Sequence, residues 1–206
     1  YRKYITIDGK RTCEYDYSQL NPHMVYFLRD KKMGNEDAYG RVFDGEHRDI
    51  VKEAFNAMIQ ASTDLTHKPR KLDLSEVDLD WPTLKQAILD AHKPIADVFF
   101  QGHGNHLQFI DSCIAENVML NFITAEDAPV LPVHDSFIMH YAYGELSELE
   151  EEMRRSFHGH FKKDINVKSE IGVMLPSSFD GKEWSDLTFE EQIHGPPEYS
   201  QWEDRN

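Results

Sequence analysis

The chain has 206 residues, and its 22 Lys and Arg against 37 Asp and Glu give a formal net charge of −15 at pH 7. This length is enough for one well-buried domain or two small ones, and a 40% share of hydrophobic residues is typical of a folded protein. No run of about eighteen apolar residues occurs, which excludes a transmembrane helix and predicts no membrane partner. The acidic balance argues against a passive nucleic-acid binder, but an enzyme with a local basic site remains compatible with it.

The N-terminal sequence and the cysteines indicate the expected cellular location. The sequence starts at Tyr1 without Met or the apolar core of a signal peptide, so we expect a processed chain or a fragment with further domains on its N-terminal side. Cys13 and Cys113 form no CxxC motif, which argues against a disulfide scaffold or a zinc cluster. Together these features predict a reducing, cytoplasmic location.

The first half of the chain has clear turn and helix signals. An Asp-Gly pair between β-branched and aromatic residues predicts a β-hairpin over 4–16. Apolar positions at helical spacing predict helices over Leu20–Arg29 and His47–Ala61, separated by a polar loop over 31–45. A polar connection over 62–80 precedes two helical stretches that each have a proline in the first turn, Pro82–Ala91 and Pro94–Phe100.

The second half contains a long apolar helix and a second hairpin. We predict a helix over His106–Ile123, two short strands over Val130–His140 that meet at His134-Asp135, a charged helix over Glu145–Phe161 and a strand over Ile165–Val173. The last thirty residues are proline-containing, acidic and without periodicity. Because the strands occur in hairpins and do not alternate with helices, the order predicts an α+β fold with an antiparallel sheet.

Two aspartates end predicted strands and are the main candidates for chemistry. Asp16 follows the first hairpin and Asp135 lies at the turn of the second. If the sheet brings them together, two carboxylates can hold two Mg²⁺ ions about 4 Å apart, because substrate phosphates supply the remaining oxygens. Taken singly, an aspartate in a turn is more simply explained as a hydrogen-bonded turn residue.

Two cations share one face of the helix over His47–Ala61. Arg48 and Lys52 are four residues apart and suit a triphosphate, with Arg as a fork and Lys as a point charge. The alternative is an exposed pair balanced by Asp49 and Glu53.

Four histidines suggest a zinc site as a second kind of site: His103, His106, His158 and His160. No HExxH motif occurs, so a zinc site has little support.

Several segments in chain order resemble the motifs of family A DNA polymerases. EYDYSQL at 14–20 is similar to the first catalytic motif, and DAY at 37–39 is similar to the segment before the fingers helix. Arg48 and Lys52 match the Arg-x-x-x-Lys start of the second motif. Gln108 lies in a helix similar to the palm helix that contains a glutamine. VHDSF at 133–137 resembles the third motif, in a variant also known from phage-type single-subunit RNA polymerases.

The resemblance implies a right-hand polymerase palm, an antiparallel sheet packed on helices, with a reduced helical fingers insertion. The implied division is a first palm part over 1–30, reduced fingers over 31–100, a second palm part over 101–175 and an irregular acidic tail over 176–206.

The resemblance also implies a role for each matched residue. Asp16 and Asp135 would be catalytic and would bind two Mg²⁺ ions, or Mn²⁺, with the carbonyl of Tyr17 as a further ligand. The implied nucleotide-binding residues are Gln19, Asn21, Arg48, Lys52 and Asn56, and the implied primer- or template-binding residues are His134 and Gln108. The implied partners are a nucleic-acid primer-template and nucleoside triphosphates.

Five positions depart from the family pattern. Asn21 stands where the family has an acid that helps to exclude ribonucleotides, which predicts relaxed sugar discrimination. Asn56 and Gln60-Ala61 replace the aromatic and the Tyr-Gly pair expected beside the nascent base pair. Ser136 replaces the common Glu beside the second catalytic aspartate.

The leading hypothesis is a DNA polymerase-like nucleotidyltransferase that extends a primer 3′-OH by a two-metal mechanism. The first alternative is a non-catalytic palm-like module that binds nucleotides or partners. The second is a metal-dependent phosphohydrolase, which has less support because no His/Asp cluster that would activate water is evident.

Overall fold

A computed structural model of the chain describes residues 12–34, 37–75, 77–126, 128–140 and 146–170, together with Ile5 and Ile7. The first strand and turn of the predicted N-terminal hairpin, the end of the strand predicted over Ile165–Val173 and the predicted tail lie outside these residues. The strands are β1 (Thr12–Tyr17), β2 (Val130–Val133), β3 (Ser136–His140) and β4 (Val167–Glu170). The α-helices are α1 (Leu20–Leu28), α2 (Arg48–Gln60), α3 (Trp81–Ala91), α4 (Gly104–Glu126) and α5 (Leu146–Phe161).

The fold class is confirmed as mixed α+β. The described strands form one sheet in the order β2-β3-β1-β4, and its three strand pairs are all antiparallel. β1 is therefore a central strand, and its side chains are buried on both faces of the sheet apart from the partly exposed Asp16. No described helix is long and apolar enough to cross a membrane.

The predicted elements match closely, with two differences. The segment predicted as helical over Pro94–Phe100 is a 3₁₀ helix over Lys93–Val98, and the loop predicted over 31–45 contains a 3₁₀ turn over Gly40–Val42. Both are short, with six and three residues, and 3₁₀ geometry is common at such lengths because few residues are available to complete the α-helical bond ladder.

The chain divides into two compact units. One comprises β1 and the chain from Cys113 onwards, and the other comprises Gln19–Ser112. The boundaries of these units fall at residues 18 and 112. The division into palm parts and reduced fingers, with its bounds at 30, 100 and 175, remains a prediction.

The sheet unit is held together by the face of β1 that packs on α5. Tyr17 is buried, its ring contacts Phe137 and Phe157 edge-on or tilted at centroid distances of 6.1 and 5.9 Å, and its hydroxyl donates to the carbonyl of Met153 at 2.6 Å. Asn121 on α4 donates to Glu152 on α5 at 2.6 Å, which joins these two helices. Burial of the aromatic rings stabilises the unit, at about 1.5–3 kcal/mol for each fully buried large side chain.

The helical unit has an aromatic core. Phe55 on α2 packs against His92 and Phe99 at centroid distances of 4.9 and 5.1 Å and against Tyr39 at 5.6 Å. The chain after α3 also closes the end of α2, because the amide of Phe100 donates to Met58 at 2.8 Å. Helix α2 is thereby fixed along the stripe predicted from its apolar periodicity.

Candidate functional site

The two candidate catalytic aspartates lie on neighbouring strands. The register pairs Asp16 on β1 with Ser136 on β3, and Asp135 immediately precedes Ser136 in the hairpin turn. The amide of Tyr17 donates to the main-chain carbonyl of Asp135 at 3.1 Å, which extends the strand ladder by one bond. Both aspartates are partly exposed to solvent. The sheet therefore brings Asp16 and Asp135, distant in sequence, to the same strand ends.

The hairpin turn is a tight one. β2 ends at Val133 and β3 begins at Ser136, so only His134 and Asp135 connect the strands. His134 has a left-handed backbone, with φ of 58°, and is exposed. A positive φ is common in two-residue hairpin turns, whose twist matches that of the flanking strands. His134 therefore lies at the exposed tip of the hairpin, next to Asp135.

The chemistry of this pair suits a hard divalent cation. Mg²⁺ is commonly bound by one or two carboxylates, with waters and substrate phosphates as its other ligands. Within the described ranges, no group of three or more His, Cys, Asp or Glu side chains is placed to hold a metal ion. Two carboxylates would suit a cation that takes its further oxygens from a substrate. The separation of the carboxylate oxygens, which we expect to be about 3–8 Å, and the Tyr17 carbonyl as a ligand remain predictions.

The histidine alternative finds no support in the described residues. His158 lies 3.0 Å from Asp164, six residues along the chain, and these two form a local pair at the end of α5. The two cysteines of the chain are free thiols, Cys13 buried and Cys113 half-buried.

The partner of Arg48 differs from the one expected. Its guanidinium binds the Asp37 carboxylate, with Nε 2.5 Å from Oδ2, and lies over the Tyr39 ring at 5.5 Å from the centroid. Asp49, which the sequence suggested as a balancing charge, is 3.9 Å away and 98% exposed. Lys52 is exposed on the polar face of α2. Asp49 thus lies within ion-pair distance of Arg48 as expected, but the closer acid is Asp37, a loop residue eleven positions earlier.

The ion pair with Arg48 also affects the pKa of Asp37. Partial burial opposes ionisation of Asp37, but the hydrogen bond from Arg48 and those from the amides of Tyr39 and Gly40 outweigh it and hold the pKa of this carboxyl below its usual value. Asp37 is therefore an anion that already occupies the guanidinium fork. A triphosphate would compete with it for Arg48.

The loop that carries Asp37 is anchored by a buried polar network that sequence reasoning missed. Gln19 accepts a hydrogen bond from the amide of Ala38 at 2.6 Å, and His92 Nε2 lies 3.0 Å from the carbonyl of Ala38. The Tyr26 hydroxyl is 3.0 Å from His92 Nδ1 and accepts from Arg41 at 3.4 Å. Since a carbonyl only accepts, Nε2 carries the proton and Nδ1 accepts from Tyr26. Gln19, predicted to bind nucleotide, is thus engaged in holding this loop.

Burial keeps His92 neutral. The side chain is fully buried, and this desolvation, together with the positive charge of Arg41, lowers its pKa to about 4. The hydrogen bond to the carbonyl of Ala38 acts in the opposite direction but is outweighed. A lone histidine between two helices gave no periodic signal, so no pattern could have assigned this role.

The remaining predicted residues lie in the helical unit. Asn21 on α1 donates to Asn56 on α2 at 3.1 Å, so these two side chains are brought together. Gln108 is exposed near the start of α4. A cavity of about 570 Å³ in the described part of the chain lies elsewhere, between α4 and α5 of the sheet unit, and its lining includes neither aspartate.

Comparison with known proteins supports the fold. No protein-family model matches the chain, and no curated protein sequence does. The chain is similar to a solved structure of the POL domain of Pol1 from M. smegmatis in complex with DNA primer-template and dNTP, with a TM-score of 0.54 at 15% sequence identity. The match covers 81% of this chain and 40% of that one, so the chain spans less than half of its neighbour. The α+β architecture of the chain is a polymerase palm-like fold.

Proposed function

We propose that the chain is a nucleotidyltransferase of the DNA polymerase type, similar to family A polymerases, that adds nucleotides to a primer 3′-OH. The observation that carries this proposal is the β1–β3 register, which brings Asp16 beside the turn that holds Asp135. The palm-like fold, shared with a neighbour solved with DNA primer-template and dNTP, supports the same reaction class.

The proposed reaction is a displacement at phosphorus. The primer 3′-oxygen forms a bond to the α-phosphorus of the nucleoside triphosphate, the bond from that phosphorus to the bridging oxygen breaks, and pyrophosphate leaves with the electron pair. The 3′-hydroxyl proton passes to solvent. Asp16 and Asp135 would hold the divalent cations, with the Tyr17 carbonyl as a further oxygen. When bound, such ions favour loss of the hydroxyl proton and stabilise the leaving pyrophosphate.

The other predicted residues would bind and orient the substrates. Exposed Lys52 is a point charge for the triphosphate, and Arg48 would join it by exchanging Asp37 for phosphate oxygens. Asn21 and Asn56 form a polar pair that we assign to the nucleotide sugar and base. His134, exposed at the hairpin tip, and exposed Gln108 would contact primer or template.

Primer extension tests the proposal. The wild-type chain with Mg²⁺, a primer-template and all four nucleotides is compared with Asp16→Asn, Asp135→Asn and Asp164→Asn, the last removing an acid that is 92% exposed on the same unit. We expect extension by the wild type and by Asp164→Asn, and a loss of at least about a hundredfold in each of the other two variants. Extension that survives both substitutions would contradict the proposal.

The second candidate is a non-catalytic module that binds nucleotides or partners. The observation that weighs towards it and away from the enzyme is the engaged state of Arg48, because Asp37 would have to leave the guanidinium before a triphosphate could bind there. Nucleotide binding without extension, unchanged by Asp16→Asn, would support the module over the enzyme.

A further inference from the structure

A buried acid lies next to Asp16 and has no assigned role. Glu14 is two residues before Asp16 on β1, so both side chains lie on the same face of the sheet. Glu14 is only 7% exposed, and burial of a carboxylate is costly unless it is hydrogen-bonded. A glutamate buried in a central strand therefore needs hydrogen-bonding partners.

The contact that matters reaches the hairpin turn. The Oγ of Ser136, a residue 2% exposed, donates to the Glu14 carboxylate. The same Oγ lies 2.9 Å from the carbonyl of Val133, at the other end of the two-residue turn. The Ser136 hydroxyl thus lies within hydrogen-bond distance of both the strand acid and the start of the turn.

From this geometry we propose that Glu14 is a positioning residue: it fixes the turn that carries Asp135, through Ser136, relative to Asp16. Asp16 and Glu14 belong to one strand, and Ser136 is the residue directly after Asp135. The bond from Glu14 to Ser136 and the bond from the Tyr17 amide to Asp135 attach the turn to β1 at two points. The inference rests on the proposed function, since it assumes that the two aspartates bind divalent cations.

The test is binding of Mn²⁺ alone, followed by electron paramagnetic resonance of the free ion. The variants are Glu14→Ala, Glu14→Gln, Ser136→Ala and the double variant Glu14→Ala/Ser136→Ala. Glu151→Ala, which removes an exposed acid of α5, is the control for the change in charge. Circular dichroism melting shows which variants are folded.

Partners that orient metal ligands typically contribute tenfold to a hundredfold in metal affinity, so we expect a loss of about this size in Glu14→Ala and in Ser136→Ala. Glutamine keeps an oxygen that accepts from Ser136, so Glu14→Gln should stay within about threefold of the wild type. The double variant should lose no more than Glu14→Ala, because both substitutions break the same bond.

Two results would overturn the inference. One is wild-type affinity in both Glu14→Ala and Ser136→Ala, which would leave the bond without a role. The other is an equal loss in Glu14→Gln and Glu14→Ala with no loss in Ser136→Ala, which would assign the effect to charge. If Glu14→Ala does not fold, Ser136→Ala and Glu14→Gln still decide the question. Asp16→Asn separates this inference from the proposed function: Mn²⁺ affinity unaffected by that change would contradict the metal site itself.

Discussion

The aspartates proposed to bind metal and the cations proposed to bind triphosphate lie on different kinds of secondary structure. Asp16 and Asp135 lie on paired strands, and backbone bonds set their relation. Arg48 and Lys52 lie on a helix face, where one cation is paired with a loop acid and the other is exposed. A strand register leaves little freedom, whereas a surface ion pair contributes only about 0–1 kcal/mol and exchanges easily. We infer that the acid pair is preorganised and that the cations adjust to a ligand.

The largest expected effect concerns the network that anchors the Asp37 loop. The pKa of His92 is lowered from 6.5 to about 4, so the unfolded chain binds the proton more strongly. The stabilisation by neutral His92 is therefore complete above pH 6.5 and is lost as the pH falls towards 4, by up to about 3 kcal/mol.

Chemical denaturation between pH 4 and 7 measures this effect. His92→Gln should lose less stability than the wild type across that interval, and His67→Gln, which removes an exposed histidine, is the control. Parallel stability curves for the wild type and His92→Gln would show that the network does not hold a neutral His92.

The second effect tests whether the helix cations bind phosphate. Lys52→Ala should weaken triphosphate affinity by about 1.5–3 kcal/mol, roughly tenfold to a hundredfold, because a hydrogen bond to a charged group is lost. The free energy of unfolding should change by no more than about 0.5 kcal/mol, since Lys52 is exposed. Calorimetric titration and thermal melting check both values, with Lys71→Ala as the control. Unchanged affinity with a sharply lower melting temperature would make Lys52 structural.

The third effect concerns sugar choice. Asn21 is shorter than Glu and neutral, and its amide donates to Asn56 at 3.1 Å, so it offers little steric bulk against a 2′-hydroxyl. We expect ribonucleotides to be incorporated within about a hundredfold of deoxynucleotides, and Asn21→Glu to widen that gap by about tenfold. Single-nucleotide extension with matched nucleotides measures both. A wild-type preference beyond about ten-thousandfold would assign the gate to another residue.

The smallest expected effect is on triphosphate affinity, and it tests whether Arg48 can exchange its acid partner for a ligand. Asp37→Asn keeps an oxygen for the amide of Tyr39 but removes the charge that competes for Arg48. Triphosphate affinity should rise by up to about fivefold, or about 1 kcal/mol, and the gain should shrink in high salt. The control is Asp90→Asn, which removes an acid paired with exposed Lys93. Weaker binding by Asp37→Asn would mean that the Asp37–Arg48 pair is itself required in the bound state.

The sequence predicts secondary-structure elements well where one hydrophobic period or a local turn signal dominates. The helix predicted over His47–Ala61 is Arg48–Gln60 in the structure, and the hairpin predicted over Val130–His140 turns at His134-Asp135 as expected. The apolar stripe of α2 and the two-residue turn are local signals, so neighbouring residues suffice to determine them.

What the sequence could not predict depends on tertiary contacts. The pairs Asp37–Arg48, Tyr26–His92 and Glu14–Ser136 join residues 11, 66 and 122 positions apart, and no periodicity links their members. Such pairs follow from sheet register and helix packing, which a single sequence does not determine. Asp16 and Asp135 could be proposed only because both lie at the ends of predicted strands and match motifs in one order.

The measurement that tests the central claim most directly is anomalous diffraction from crystals of the chain grown with Mn²⁺. We expect Mn²⁺ bound by both Asp16 and Asp135, with carboxylate oxygens of the two residues about 3–8 Å apart, the span of a two-metal site. Carboxylates more than about 12 Å apart, or Mn²⁺ bound only elsewhere, would contradict the account.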